Sequence, residues 1–121
     1  METRKSKAPR FNPALEDKTV SEGDTLTLTC GVEGTPKPTV TWFKDGIPLM
    51  KTDKVRPDYD PESGRCTLTV ADAADADKGA YRCVASNEHG STNTACMVGV
   101  KTAKAEVRVT VELLSNFDLF R

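Results

Sequence analysis

Histidine is nearly absent from this chain: His89 is the only one in 121 residues. Metal chemistry is left short of ligands, and a Ser/His/Asp or Cys/His enzyme would have a single candidate base. That base sits in Asn87-Glu88-His89-Gly90, a loop composition with no positioned nucleophile beside it, so His89 reads as a solvated loop residue. No catalytic, cofactor or metal site is expected, and the chain is not expected to be an enzyme. Cysteine is also sparse. None of the four occurs as C-x-x-C, which removes the zinc-ribbon and thioredoxin-type readings. Charge of one sign is lacking too. Seventeen Lys+Arg against 18 Asp+Glu give a formal net charge of -1, which argues against nucleic acid or a membrane surface as partner. No run approaches the roughly 20 apolar residues of a membrane span, and Met1 to Lys7 carries no apolar export segment. The length fits one compact domain.

What is present is period-two alternation, broken by turn residues at intervals of roughly ten, which predicts an antiparallel sandwich. Thr25 to Val32 places Leu26, Leu28, Cys30 and Val32 on one face and threonines on the other; Glu33 to Pro38 ends it. Thr39 to Lys44 puts Val40 and Trp42 inward and runs into Asp45-Gly46, a dipeptide that tolerates the positive φ of a tight turn. A polar connection containing Pro57 and Pro61 follows. Arg65 to Val70 alternates again, with Cys66, Leu68 and Val70 on one face. Asp72 to Lys78 has the composition of a single helical turn, stopped by Gly79. Ala80 to Ser86 forms a strand with Tyr81, Cys83 and Ala85 aligned. Asn87 to Gly90 is the hairpin loop, and Thr94 to Val100 returns with Cys96, Val98 and Val100 inward.

These residues carry a resemblance. Cys30, Trp42 and Asp77-Lys78-Gly79-Ala80-Tyr81-Arg82-Cys83 resemble the Cys…Trp…Tyr-x-Cys core of an immunoglobulin domain, with Tyr81 at the tyrosine corner. Pro9-Arg10-Phe11, Val20-Ser21-Glu22-Gly23-Asp24, Trp42-Phe43-Lys44-Asp45-Gly46 and Ala85 to Gly90 are similar to the I-set subclass found in titin, twitchin, obscurin and myosin light chain kinase. The resemblance implies an all-β immunoglobulin-like sandwich of two antiparallel sheets in Greek-key topology over residues 8–101. Residues 1–7 read as a flexible basic segment and 102–121 as an extension.

The expected structural core is Cys30, Trp42, Leu68, Asp77, Gly79, Tyr81 and Cys83. Burial takes these residues away from any ligand. Trp42 would pack on the sulfurs of Cys30 and Cys83, and the Tyr81 hydroxyl would aim at backbone near Asp75 to Asp77. Cys30 and Cys83 are candidates for an inter-sheet disulfide in an oxidising space, or for two buried thiols in a reducing one. Cys66 and Cys96 resemble the placement in the C-terminal immunoglobulin domain of myosin light chain kinase. No Asn is followed by x-Ser/Thr, which favours the cytoplasm.

Lys51, Lys54 and Arg56 form a basic group, read as a solvated face or as a partner footprint of the type that holds actin filaments in some muscle immunoglobulin domains. Beyond the resemblance, Glu106 to Leu113 alternates as a strand would, with Val107, Val109, Val111 and Leu113 on one side; an edge-strand dimer through it is one expectation. The function expected is a non-catalytic module of a cytoplasmic sarcomeric or cytoskeletal protein, a structural spacer and protein-docking domain with actin or myosin filaments among its candidate partners. The alternative is an extracellular adhesion or receptor domain.

Overall fold

The computed structural model describes residues 6–102. Nine strands, β1 (Lys7–Phe11), β2 (Lys18–Ser21), β3 (Leu26–Thr35), β4 (Thr39–Lys44), β5 (Ile47–Pro48), β6 (Val55–Asp60), β7 (Arg65–Val70), β8 (Gly79–Asn87) and β9 (Gly90–Lys101), form two sheets, with one 3-10 turn at Asp75–Asp77. One sheet runs β1-β3-β7-β6 and the other β2-β9-β8-β4-β5. No helix among the described residues is long and apolar enough to cross a membrane.

The sandwich closes because alternating strands from both sheets turn one face inward. Leu26, Leu28 and Cys30 stand opposite Val70, Leu68 and Cys66 in the β3/β7 pair, and Trp42 stands opposite Cys83 in β4/β8. All of these are buried, together with Leu15, Val32, Tyr81, Ala85, Cys96 and Val98. One pairing departs from the antiparallel expectation. β2 runs parallel to β9, from Lys18 opposite Val98 to Ser21 opposite Lys101, because the chain leaves β1 at Asn12-Pro13 and crosses to the other sheet.

Several elements differ from the sequence reading. Val55 to Asp60, expected as a polar connection, is strand β6: Val55, Pro57 and Tyr59 are half-buried and alternate with exposed Arg56, Asp58 and Asp60. Pro57 is tolerated there because β6 is the edge of its sheet. β3 extends to Thr35, beyond the expected end, and β9 begins at Gly90, before Thr94. Lys7, placed in the basic N-terminal segment, already belongs to β1. The Glu106 to Leu113 strand lies outside the described residues.

Turn chemistry fixes the corners. Asp45 and Gly46 both adopt positive φ (51° and 84°), as a two-residue hairpin turn demands. Asp45 then faces the start of β8: its N–H donates to Ala80 O at 2.8 Å, and its Oδ1 accepts from Ala80 N at 3.0 Å. The carboxylate covers Gly79, where a Cβ would meet Asp45 Oδ2 at 2.7 Å. Hydrogen bonding from Ala80, helped by Lys44, lowers the Asp45 pKa.

Candidate docking surface

The residues singled out in the sequence separate into a buried set and an exposed set. In the core, Sγ atoms of Cys30, Cys66 and Cys83 all lie within 4.8 Å of one another. The three come from different strands, and each is at most 1% exposed. This trio is the one group of three potential metal-ligating side chains among the described residues. Cys66 Sγ donates to Gly64 O at 3.7 Å; the neighbouring Cys66 sulfur and burial push the Cys30 thiol up to about 12, and neighbouring sulfurs followed by burial push Cys83 up as well. No disulfide joins any of the four cysteines in this structure. Within this apolar shell they act as small packing groups around Trp42. Sequence reading placed Cys66 on the inward face of its strand but did not bring it against Cys30 and Cys83. Their shared register could have indicated it, since Cys30 and Cys66 stand directly opposite.

The tyrosine corner is built on Asp77. Tyr81 donates its hydroxyl to Asp77 O at 2.5 Å, and Asp77 Oδ2 accepts the Ala74 N–H at 2.8 Å. Burial, reinforced by the nearby Asp77 and Asp45 carboxylates, pushes the Tyr81 phenol up to about 12.

Lys54 completes this corner, and it changes the meaning of the basic group. Its Nζ donates to Ala71 O at 3.1 Å and Asp72 O at 2.8 Å, and lies 3.0 Å from Asp77 Oδ2. An ammonium has three protons, and all three are committed. Lys54 is thus a strap from the β6 entry to the β7–β8 connection, whereas Lys51 and Arg56 are exposed and available to a partner. The sequence showed three cations in a row; it did not show that the middle one turns inward.

His89 occupies the two-residue β8–β9 turn, exposed, with Nε2 3.6 Å from Glu88 Oε2. Its loop is organised by Asn87, whose Nδ2 donates to Lys7 O at 2.8 Å and Pro36 O at 2.9 Å. No nucleophile joins His89 in these contacts.

The remaining exposed feature is the outer face of the β4-β8-β9 sheet. Outward rows pair Ala80 with Met97, and Phe43 with Arg82 and Ala95. Between them lies a groove of about 320 Å³, lined mainly by apolar groups including Phe43, Val84 and Ala95. Met97 on its rim is 57% exposed and Ile47, on the neighbouring β5, 67%. An apolar face of this sort is suited to holding protein, not a charged metabolite.

The comparisons agree with this geometry. The family model "Immunoglobulin I-set domain" matches residues 9–110. The muscle M-line assembly protein unc-89 of Caenorhabditis elegans is 47% identical over 107 residues, 88% of this chain and 1% of that protein. Telokin of Meleagris gallopavo is 36% identical over 98 residues, 81% of this chain and 63% of telokin. Among solved structures, the titin domains z1z2 in complex with telethonin superpose with a TM-score of 0.77 at 30% identity, over 82% of this chain and 50% of that one. This chain therefore spans a small part of the large muscle relative, and its domain type is that of structural muscle proteins, not a catalytic fold. It belongs to the immunoglobulin I-set domain family.

Proposed function

We propose that this domain is a non-catalytic spacer and protein-docking module of a cytoplasmic sarcomeric or cytoskeletal protein. The observation that carries this reading is the 47% identity, over 88% of the chain, to a muscle M-line assembly protein. The titin domains z1z2, solved in complex with telethonin, support a docking role for such a sandwich. A core built around four thiols supports a reducing compartment.

The strand arrangement suits a spacer. Near one terminus of the sandwich is β2, near the other β9, and the two run parallel. Tension that pulls Lys101 forward and Lys18 backward therefore shears all four residue pairs of that ladder together, instead of opening them one at a time. Single-molecule stretching tests this. The chain, held between flanking handles at its two ends, is expected to resist as one cooperative unit, and Val20→Pro, which removes the β2 N–H at the centre of the ladder, is expected to lower the unfolding force. Unfolding of the parent at forces no higher than those of Val20→Pro would refute the spacer role.

A further inference from the structure

We infer that the sulfurs of Cys30, Cys66 and Cys83 form a binding site for one monovalent copper ion, held in three-coordinate sulfur geometry inside the sandwich. This goes beyond the spacer-and-docking reading, which concerns the surface alone. The sulfurs converge although no sequence motif joins them: Cys30 is on β3, Cys66 stands opposite it on β7, and Cys83 is on β8 of the facing sheet. All three Sγ atoms lie within 4.8 Å of one another. Sulfurs sharing one metal at about 2.3 Å stand about 3.8–4.0 Å apart, so a contraction of at most about 1 Å closes the site. Until an ion arrives they pack as thiols, and Cys66 gives up only its long bond to Gly64 O when it turns to the metal.

Ligand type, ligand number and charge select the ion. Every donor is sulfur, which suits soft metals and leaves magnesium or calcium without the oxygen ligands they need. Among the described residues no fourth Cys, His, Asp or Glu joins the group. Each cysteine is at most 1% exposed, so water is kept from a fourth position as well. Structural zinc would lack the last ligand of its tetrahedral shell, whereas monovalent copper is satisfied by three. The surroundings are apolar, with Leu28, Trp42 and Leu68 in the same buried cluster, and a net charge there is costly. Monovalent copper accepts neutral sulfur donors as well as thiolate. One thiolate and two thiols therefore hold it as a neutral group: one S–Cu bond replaces one S–H bond, the proton leaves to solvent, and no electron moves. A divalent ion would need two thiols deprotonated for the same neutrality. Because the sulfurs are sealed from the surface, loading follows local opening of the sandwich.

Anaerobic titration of the full 121-residue chain with the acetonitrile complex of copper(I), in competition with a chromophoric copper(I) chelator, tests this. Expected are one ion per chain and a copper X-ray absorption spectrum with three sulfur neighbours. Amide protection across β3, β7 and β8 should persist in the loaded protein, placing the ion in the folded core. Cys66→Ala and, separately, Cys30→Ala should weaken binding on the order of tenfold or more, at least the loss that a change behind a metal ligand brings. Cys96→Ala leaves the trio intact and should bind as the parent does. Zinc, offered in the same assay, should bind more weakly than copper. Four results would overturn the inference: fewer than three sulfur neighbours in the parent spectrum, full affinity in Cys66→Ala, zinc bound as tightly as copper, or loss of amide protection on loading. The last would mean that the ion captures thiols of the unfolded chain, and with the parent spectrum it decides the matter even if a cysteine variant fails to fold.

Discussion

Replacing Lys54 by methionine isolates the contribution of a surface cation that is not free. The stem survives in Met, so packing along the β6 entry is kept, while three donor contacts are lost: to Ala71 O, Asp72 O and Asp77 Oδ2. Hydrogen bonds involving a charged group contribute about 1.5–3 kcal/mol each when well shielded. The Lys54 side chain is 41% exposed, however, so water replaces part of what is removed. The carboxylate left behind is 15% exposed and keeps its bond from Ala74 N. Together these set the expected loss at about 2 kcal/mol, or a Tm lowered by about 10 °C for a domain of this size. Urea unfolding with an unchanged m-value would report it. Arg56→Met and Lys51→Met, at exposed positions, should each stay within about 0.5 kcal/mol. A double-mutant cycle with Asp77→Asn separates the ion pair from the carbonyl contacts and should return a coupling of about 0.5–1 kcal/mol. If Lys54→Met costs no more than Arg56→Met, the ammonium is merely solvated and the strap does not exist in solution.

Tyr81 should keep its proton up to pH about 12 in the folded state, against about 10 when unfolded. The raised value is worth about 3 kcal/mol, fully present below pH 10 and lost as pH rises through 12; phenolate absorbance should therefore rise together with alkaline unfolding, and Tyr81→Phe should flatten that pH dependence. A Tyr81 titration near pH 10 with native protection intact would contradict it. Gly79→Ala, which adds a Cβ 2.7 Å from Asp45 Oδ2 at φ +146°, should cost about 1–3 kcal/mol in denaturant unfolding; a variant as stable as the parent would show that Asp45 does not cover this position. Thiol titration of the protein unfolded without reductant should count four thiols, and thermal unfolding should be unchanged by reductant; two thiols would place a disulfide in the core and count against the cytoplasmic reading. Reversing Lys51 and Arg56 to Glu while retaining Lys54 should weaken low-salt co-sedimentation with actin if this face holds filaments, with stability unaltered; undiminished binding would take those two residues out of the footprint.

The sandwich was legible where alternation was paired with burial. β3, β4, β7 and β8 each carry a row of inward Leu, Val, Cys or aromatic residues, and each lies near its expected place. Legibility failed at edges. In β6 the inward row is Val55, Pro57 and Tyr59, half-buried under an exposed row of charges, so one proline and three acidic or basic residues masked a strand that edge position permits. β2 has only Val20 facing inward, too little for any period to register, and its parallel partner is 80 residues away. The candidate site followed the same division. The buried corner of Tyr81 and Asp77 was expressed in local spacing, but the direction of Lys54 depends on carbonyls at Ala71 and Asp72, contributed by a different hairpin. No local pattern encodes a contact of that separation.

The same physics explains why this family's core says so little about its partners. Trp42, Tyr81 and the cysteine trio fix the distance between sheets, and residues at most 3% exposed touch nothing outside. Selection on binding can act only on the outer faces, the edges and the turns. On one outer face the β3/β7 pairs are Thr27 with Thr69 and Thr29 with Thr67, whereas the β4-β8-β9 face presents Phe43, Val84, Ala95 and Met97. A threonine ladder satisfies water at no cost and needs no cover. The apolar face, with Met97 57% exposed on its β9 side, would gain free energy from any complementary surface that covered it, and that asymmetry separates the two outer faces.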